Sequence, residues 1–237
     1  MIKYKAMQTK INLLLFPAVT QLDLTGPYEV LVRMPGAKIE LVGASMDPVA
    51  SDRGLTIIPT TTIEAALACD LLVVPGGPGT DDAILDPRWV NFVRDQAAKA
   101  HWIFGVCTGS LLLGAAGLLK GRRSGGHWLA RDLLTQFGAT VVNDRMVVDG
   151  NIFTSGGVTA GIDMAFRVVA EIAGEEAAKR IQLQIEYDPE PPFRSGTPFT
   201  ASAETVAAQR ASGAARRKIR EAAVATAAAA LASKPAK

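Results

Sequence analysis

Short apolar runs that alternate with longer stretches of helical spacing constrain this chain more than any other feature. "INLLLF" (11–16), "KIELVGAS" (38–45), "DLLVVPGG" (70–77) and "HWIFGVC" (101–107) are strand-sized and punctuated by turn residues. Between them lie helix-sized segments. "DLTGPYEVLVRM" (23–34) has Asp23 as a fair N-cap, with Leu24, Val30 and Leu31 on the apolar face. "DPRWVNFVRDQAAKA" (86–100) carries Pro87 in its first turn, and "GSLLLGAAGLLKG" (109–121) is expected to close at Gly121. "HWLARDLLTQFG" (127–138), residues 158–174 and residues 175–187 read as further helices. Residues 48–66 suggest a small hairpin before a short helix, and "DGN" (149–151) is a hairpin signal. This alternation predicts one α/β domain over residues 11–187, a three-layer sandwich with a mostly parallel sheet and helices on both faces.

The flanks differ from this body. Residues 1–10 read as an N-terminal extension. Residues 188–199 hold four prolines and suit a linker or a surface arm. Residues 203–232 are Ala-rich and helix-prone but poor in large apolar side chains, so they pack on one side at best. From residue 201 onward there are seven Lys or Arg against two Asp or Glu, whereas residues 1–200 carry 18 against 21. The body is thus mildly acidic, which does not suit nucleic-acid binding. No run approaches the ~20 apolar residues of a membrane span, the N-terminus lacks a signal-peptide pattern, and two cysteines make no disulfide framework. A cytoplasmic location is expected. His101 and His127 have no zinc-ligand spacing around them, so no metal is expected.

The chemistry concentrates at Cys107. Gly105-Val106-Cys107-Thr108-Gly109 is a Gly-x-Cys-x-Gly turn between a strand and a helix, a cysteine version of the nucleophile elbow. The following helix N-terminus is expected to lower the thiol pKa. A buried cysteine that simply packs is the competing reading, and for Cys69 it is preferred because no elbow surrounds it. "VVPGGPGT" (73–80) ends the preceding strand, and the N–H groups of Gly76 and Gly77 are candidates for an anion-stabilising pocket. Asp23, also at the carboxyl edge of the sheet, either caps its helix, reaches the same crevice, or does both.

With these residues assembled, the chain resembles the ThiJ/PfpI superfamily of class I glutamine-amidotransferase-like folds. The stretches that carry the resemblance are "FPAVTQLDLTGPYEVL", "LLVVPGG", "VCTGSLLLGAAGLLKGRR", "HW" and "TSGGVTAGIDMAF". "IQLQIEYDPEPPFRSGTP" is similar to the isonitrile-hydrating branch. The resemblance implies a flavodoxin-like sandwich, a homodimer, and no cofactor. It also implies Cys107 as nucleophile, Asp23 as its acidic partner, and Gly76, Gly77 and the Thr108 amide as the pocket opposite the sulfur. Gly156 matches a small residue after the last strand, near the site. The implied reaction is attack by the Cys107 thiolate on an isonitrile carbon, proton uptake at nitrogen, then hydration to an N-substituted formamide. Gly125-Gly126 before His127-Trp128 departs from the Thr-Thr of that branch and matches glyoxalase-like members. His127 reads somewhat better as a satisfied helix-start histidine than as a catalytic one. Glyoxalase or deglycase activity, a ligand-sensing regulator and a redox-stress thiol protein are the alternatives. The regulator suffers from the absence of a visible second helix-turn-helix unit.

Overall fold

The computed structural model describes residues 8–233. Most of the N-terminal extension expected over residues 1–10 lies outside that range. The strands are β1 (Thr9–Leu14), β2 (Ala37–Gly43), β3 (Val49–Ala50), β4 (Thr56–Ile57), β5 (Thr61–Thr62), β6 (Leu71–Val74), β7 (Trp102–Val106), β8 (Arg123–Ser124), β9 (Thr140–Val141), β10 (Met146–Asp149) and β11 (Ile152–Ser155). The helices are α1 (Gln21–Leu31), α2 (Thr80–Ala83), α3 (Pro87–Ala97), α4 (Gly109–Ala115), α5 (Ala160–Ala173), α6 (Glu175–Gln184), α7 (Ala203–Ser212) and α8 (Ala214–Ala232).

A seven-stranded sheet runs in the order β10-β11-β7-β6-β1-β2-β5. Every pairing in it is parallel except β10 with β11. Taken without the edge strands, the order β2-β1-β6-β7-β11 is the flavodoxin-like arrangement, and it reverses between β1 and β6. All four residues of β6 are buried, as continuous apolar runs covered by helices on both faces require. Leu13, Leu72, Phe104 and Phe153 belong to the same core, each side chain contributing on the order of 1.5–3 kcal/mol by burial.

Several local expectations change. Helix α1 starts at Gln21, so Asp23 lies in its first turn and is not its cap; Thr20 holds that position without a side-chain bond. Helix α4 ends at Ala115, and Gly117, at φ 84°, turns the chain before Leu119 enters the core. The apolar Leu118-Leu119 pair extended the helical pattern in sequence but serves packing outside the helix. Residues 131–137 form a 3-10 turn, not an α-helix. The short helix anticipated near residues 63–66 is a turn, whereas the β3–β4 and β10–β11 hairpins form. Helix α8 places Ala223, Val224 and Ala227 in the main core, so its small side chains dock closely. No described helix is long and apolar enough to cross a membrane.

Candidate active site

The carboxyl ends of β1, β6, β7 and β11 deliver the chemistry-bearing residues to one edge of the sheet. At the end of β7 the chain turns sharply, and Cys107 sits in the left-handed region at φ 58°. That conformation costs a non-glycine residue on the order of 1–3 kcal/mol. Its neighbours hold it there. The Cys107 N–H donates to the Ser155 carbonyl at 3.2 Å, and its carbonyl accepts from the His127 N–H at 3.2 Å. Close packing explains the glycine that follows: a Cβ on Gly109 would fall 2.1 Å from the Val74 carbonyl oxygen. The start of α4 is pressed directly onto the end of β6.

Asp23 is completely buried beside the thiol. Its Oδ2 accepts the Gly76 N–H at 3.1 Å, and its Oδ1 is buried with no oxygen or nitrogen partner. The Cys107 thiol is the titratable group that acts on this carboxyl from beside it. Burial pushes the Asp23 pKa up to about 7, against the lowering effect of the thiol and the Gly76 N–H; the charge of Asp52 adds to the rise. Cys107 behaves contrary to the expectation from its helix N-terminus. Burial, then the Asp23 charge and hydrogen bond, hold the thiol well above its ordinary value, and the Thr108 N–H and the Arg220 charge offset only part of this. Desolvation of a nearly enclosed sulfur outweighs one turn of helix dipole.

The glycine pair also differs from its expected role. Thr108 Oγ1 accepts the Gly77 N–H at 2.8 Å and lies 3.0 Å from Thr80 Oγ1. With Gly76 bonded to Asp23, both N–H groups are already partnered. They orient the carboxyl and the threonine hydroxyl and do not face an empty pocket. Neither position tolerates a side chain, since a Cβ on Gly76 would lie 2.5 Å from Thr108 N, and Gly77 adopts φ 130°. The Thr108 N–H is the amide that lowers the thiol pKa.

His127 is tied to the backbone in this geometry. Its Nδ1 accepts the Leu129 N–H at 3.3 Å. Burial first, then the charges of Arg220 and Arg131, push its pKa down to about 4, so the ring is neutral at physiological pH. Gly156 has room for a Cβ, with nearest atoms at 3.7 and 3.8 Å; it is Gly157 that must be small, because a Cβ there would lie 2.1 Å from His127 Cδ2. Gly126, His127, Gly156, Val158 and Phe199 are among the residues lining a cavity of about 230 Å³. Gly126 places it beside the elbow, since its Cβ would approach the Cys107 carbonyl oxygen to 3.2 Å. A larger groove of about 750 Å³ lies against α8, and Cys107 lines neither cavity directly. Cys69 is buried at the entry to β6, its N–H bonded to Gln96 Oε1, with its thiol pushed up to about 12 by burial.

The chain is similar to several known proteins. The isonitrile hydratase of Pseudomonas putida is 49% identical over 214 residues, covering 90% of this chain and 94% of that protein. The crystal structure of a ThiJ/PfpI family protein from Pseudomonas syringae matches with a TM-score of 0.90 and 42% identity, over 94% of each chain. A glutathione-independent glyoxalase of Caenorhabditis elegans is 27% identical over 150 residues, 62% of this chain and 80% of that protein. The pattern of the DJ-1/PfpI family matches residues 9–171, which carry the sheet from β1 to β11 and the elbow at Cys107. By that match and these relatives, the chain belongs to the DJ-1/PfpI family.

Proposed function

We propose that this protein hydrates isonitriles to N-substituted formamides, with Cys107 as nucleophile, Asp23 as proton carrier and no cofactor. The observation that carries the reading is the Cys107–Asp23 pair: a buried thiol on a strained elbow, beside a buried carboxyl with one oxygen otherwise unpartnered. The 49% identity to an isonitrile hydratase over 90% of the chain supports the choice of substrate. Neutral His127, bonded through Nδ1 to the backbone, gives no support to a Cys-His hydrolase.

The chemistry follows from the pair. The Asp23 carboxylate takes the thiol proton as sulfur attacks the terminal carbon of R–N≡C. A C–S bond forms, and Asp23 returns the proton to that carbon, giving the thioimidate R–N=CH–S–Cys107. Water then adds to the same carbon. Asp23 takes one of its protons and passes it to nitrogen, giving R–NH–CH(OH)–S–Cys107. The C–S bond breaks as the hydroxyl loses its proton, releasing R–NH–CHO, and the sulfur is reprotonated. The Thr108 N–H stabilises the departing thiolate. A carboxyl with pKa about 7 can both accept and donate near neutrality, which suits acid–base help worth ~10²–10⁴-fold in rate.

The same reading has the protein acting in the cytoplasm as a homodimer. Its two cysteines are free, as in a reducing compartment, and exposed Leu183, Phe193 and Phe199 offer apolar surface to a second copy. The test is to incubate purified protein with an aryl and an alkyl isonitrile and follow formamide formation. Turnover of neither, with Cys107 shown to be reduced, defeats the proposal.

A further inference from the structure

The buried charges of α8 have no role in the mechanism above. Arg220 and Asp81 are only 7% and 2% exposed, although 139 residues separate them in sequence. Arg220 Nε donates to Asp81 Oδ1 at 2.6 Å and Nη2 to Oδ2 at 3.4 Å. Arg216 Nη1 reaches the same Oδ2 at 3.5 Å. Two guanidiniums share one carboxylate, so the cluster keeps a net positive charge.

We propose that Arg220 and Asp81 are positioning residues for Cys107: a buried strut by which the C-terminal helix fixes the Thr80–Thr108 hydroxyl pair beside the elbow. Asp81 follows Thr80 within the single turn of α2. Thr80 Oγ1 meets Thr108 Oγ1 at 3.0 Å, and Thr108 Oγ1 accepts the Gly77 N–H at 2.8 Å. Thr108 is the residue after the nucleophile, and its N–H lowers the thiol pKa. Displacing Asp81 would therefore loosen the amide that stabilises the thiolate. The Arg220 charge also lowers the Cys107 pKa and that of His127, which places it in electrostatic reach of the elbow.

Docking α8 does not explain the ion pair. Ala223, Val224 and Ala227 already bury the helix in the core. A buried pair costs several kcal/mol in desolvation, and apolar replacements of similar volume often hold a fold equally well. The charged groups around Arg220 are Asp81 from α2, Arg216, Arg217, Lys218 and Glu221 from its own helix, Arg210 from α7, and Arg131 and Asp132 across the groove. Asp23 from α1 faces the sulfur, and α4, which packs on α8, carries no titratable residue.

The inference rests on Cys107 as the nucleophile, and its test does not require isonitrile turnover. Iodoacetamide labelling of Cys107, mapped by mass spectrometry across pH, reads the thiol directly. In the double variant Asp81→Leu, Arg220→Met, the strut and the Arg220 charge that lowers the thiol pKa are both lost, and the labelling midpoint should rise by up to about half a pH unit, since loss of the Asp81 charge offsets part of the effect. kcat on an isonitrile should fall about tenfold or more, with KM changed far less. Circular dichroism and Tm should stay at parent values. Arg220→Lys retains the charge without the fork, so its midpoint should stay at the parent value while kcat falls. A folded double variant with the parent's midpoint and kcat overturns the proposal. So does loss of folding in both variants, because the pair then serves only to dock α8. A shifted midpoint in a protein whose parent turns over no isonitrile upholds the strut and defeats only the hydratase reading.

Discussion

Asp23→Asn separates the chemical role of this carboxyl from its structural cost. Burial raises the Asp23 pKa from the ordinary 3.8 to about 7. Below pH 4 the folded and unfolded chains both hold the proton, and the site carries no penalty. Between pH 4 and 7 the unfolded chain releases a proton that the folded chain keeps, so stability falls as pH rises, and the loss is complete above about pH 7. Displacement over that range corresponds to about 4 kcal/mol, reduced toward ~2 kcal/mol by sharing of the proton with Cys107. Asn is neutral throughout, and its carbonyl oxygen can still accept the Gly76 N–H. Urea unfolding of the two proteins should therefore agree at about pH 4 and separate progressively up to pH 8, where the Asn variant is more stable by about 2–4 kcal/mol. Its kcat should drop ~10²–10⁴-fold, the usual worth of a positioned acid–base group. Two stability curves that run parallel from pH 5 to 8 would refute the buried-carboxyl argument, and a near-parent kcat would show that the proton travels by another route.

Cys107→Ser should abolish formamide production with the circular dichroism spectrum unchanged, whereas Cys69→Ser should keep near-parent activity; the formamide assay on both decides it. Iodoacetamide should label Cys107 half-maximally at a pH above ~8.5, the value of a free thiol, and a lower midpoint would mean that the helix N-terminus outweighs burial and Asp23. Gly109→Ala, which forces a Cβ to 2.1 Å from the Val74 carbonyl oxygen, should cost more than about 2 kcal/mol in urea unfolding and displace Cys107 enough to impair turnover.

The parts of the fold that were legible in the sequence are those set by local pattern. Leu71–Val74 is a continuous apolar run because both faces of β6 are covered, and that signature needs no knowledge of its partners. The Gly-x-Cys-x-Gly turn is likewise recognisable from its local pattern, although the steric demand that Gly109 meets comes from the end of β6 at Val74. What the sequence concealed depends on distant contacts. An Asp before an apolar-periodic segment looks the same whether it caps the helix or, like Asp23, lies inside the first turn and bonds to Gly76, 53 residues away. The N–H groups of a glycine pair look available until Thr108 and Asp23 are found to occupy them. An Ala-rich tail gives no hint that Arg220 will be buried against Asp81, because the pattern around each residue is that of an exposed helix.

The left-handed backbone at Cys107 sets stability and reactivity against each other. Glycine adopts φ 58° without strain, so Cys107→Gly removes the reactive sulfur and relieves the turn together. An inactive protein so altered should match or exceed the parent in thermal resistance. A screen that rewards only heat tolerance would therefore drift toward losing the nucleophile, and the thiol persists at this corner only while turnover itself is under selection.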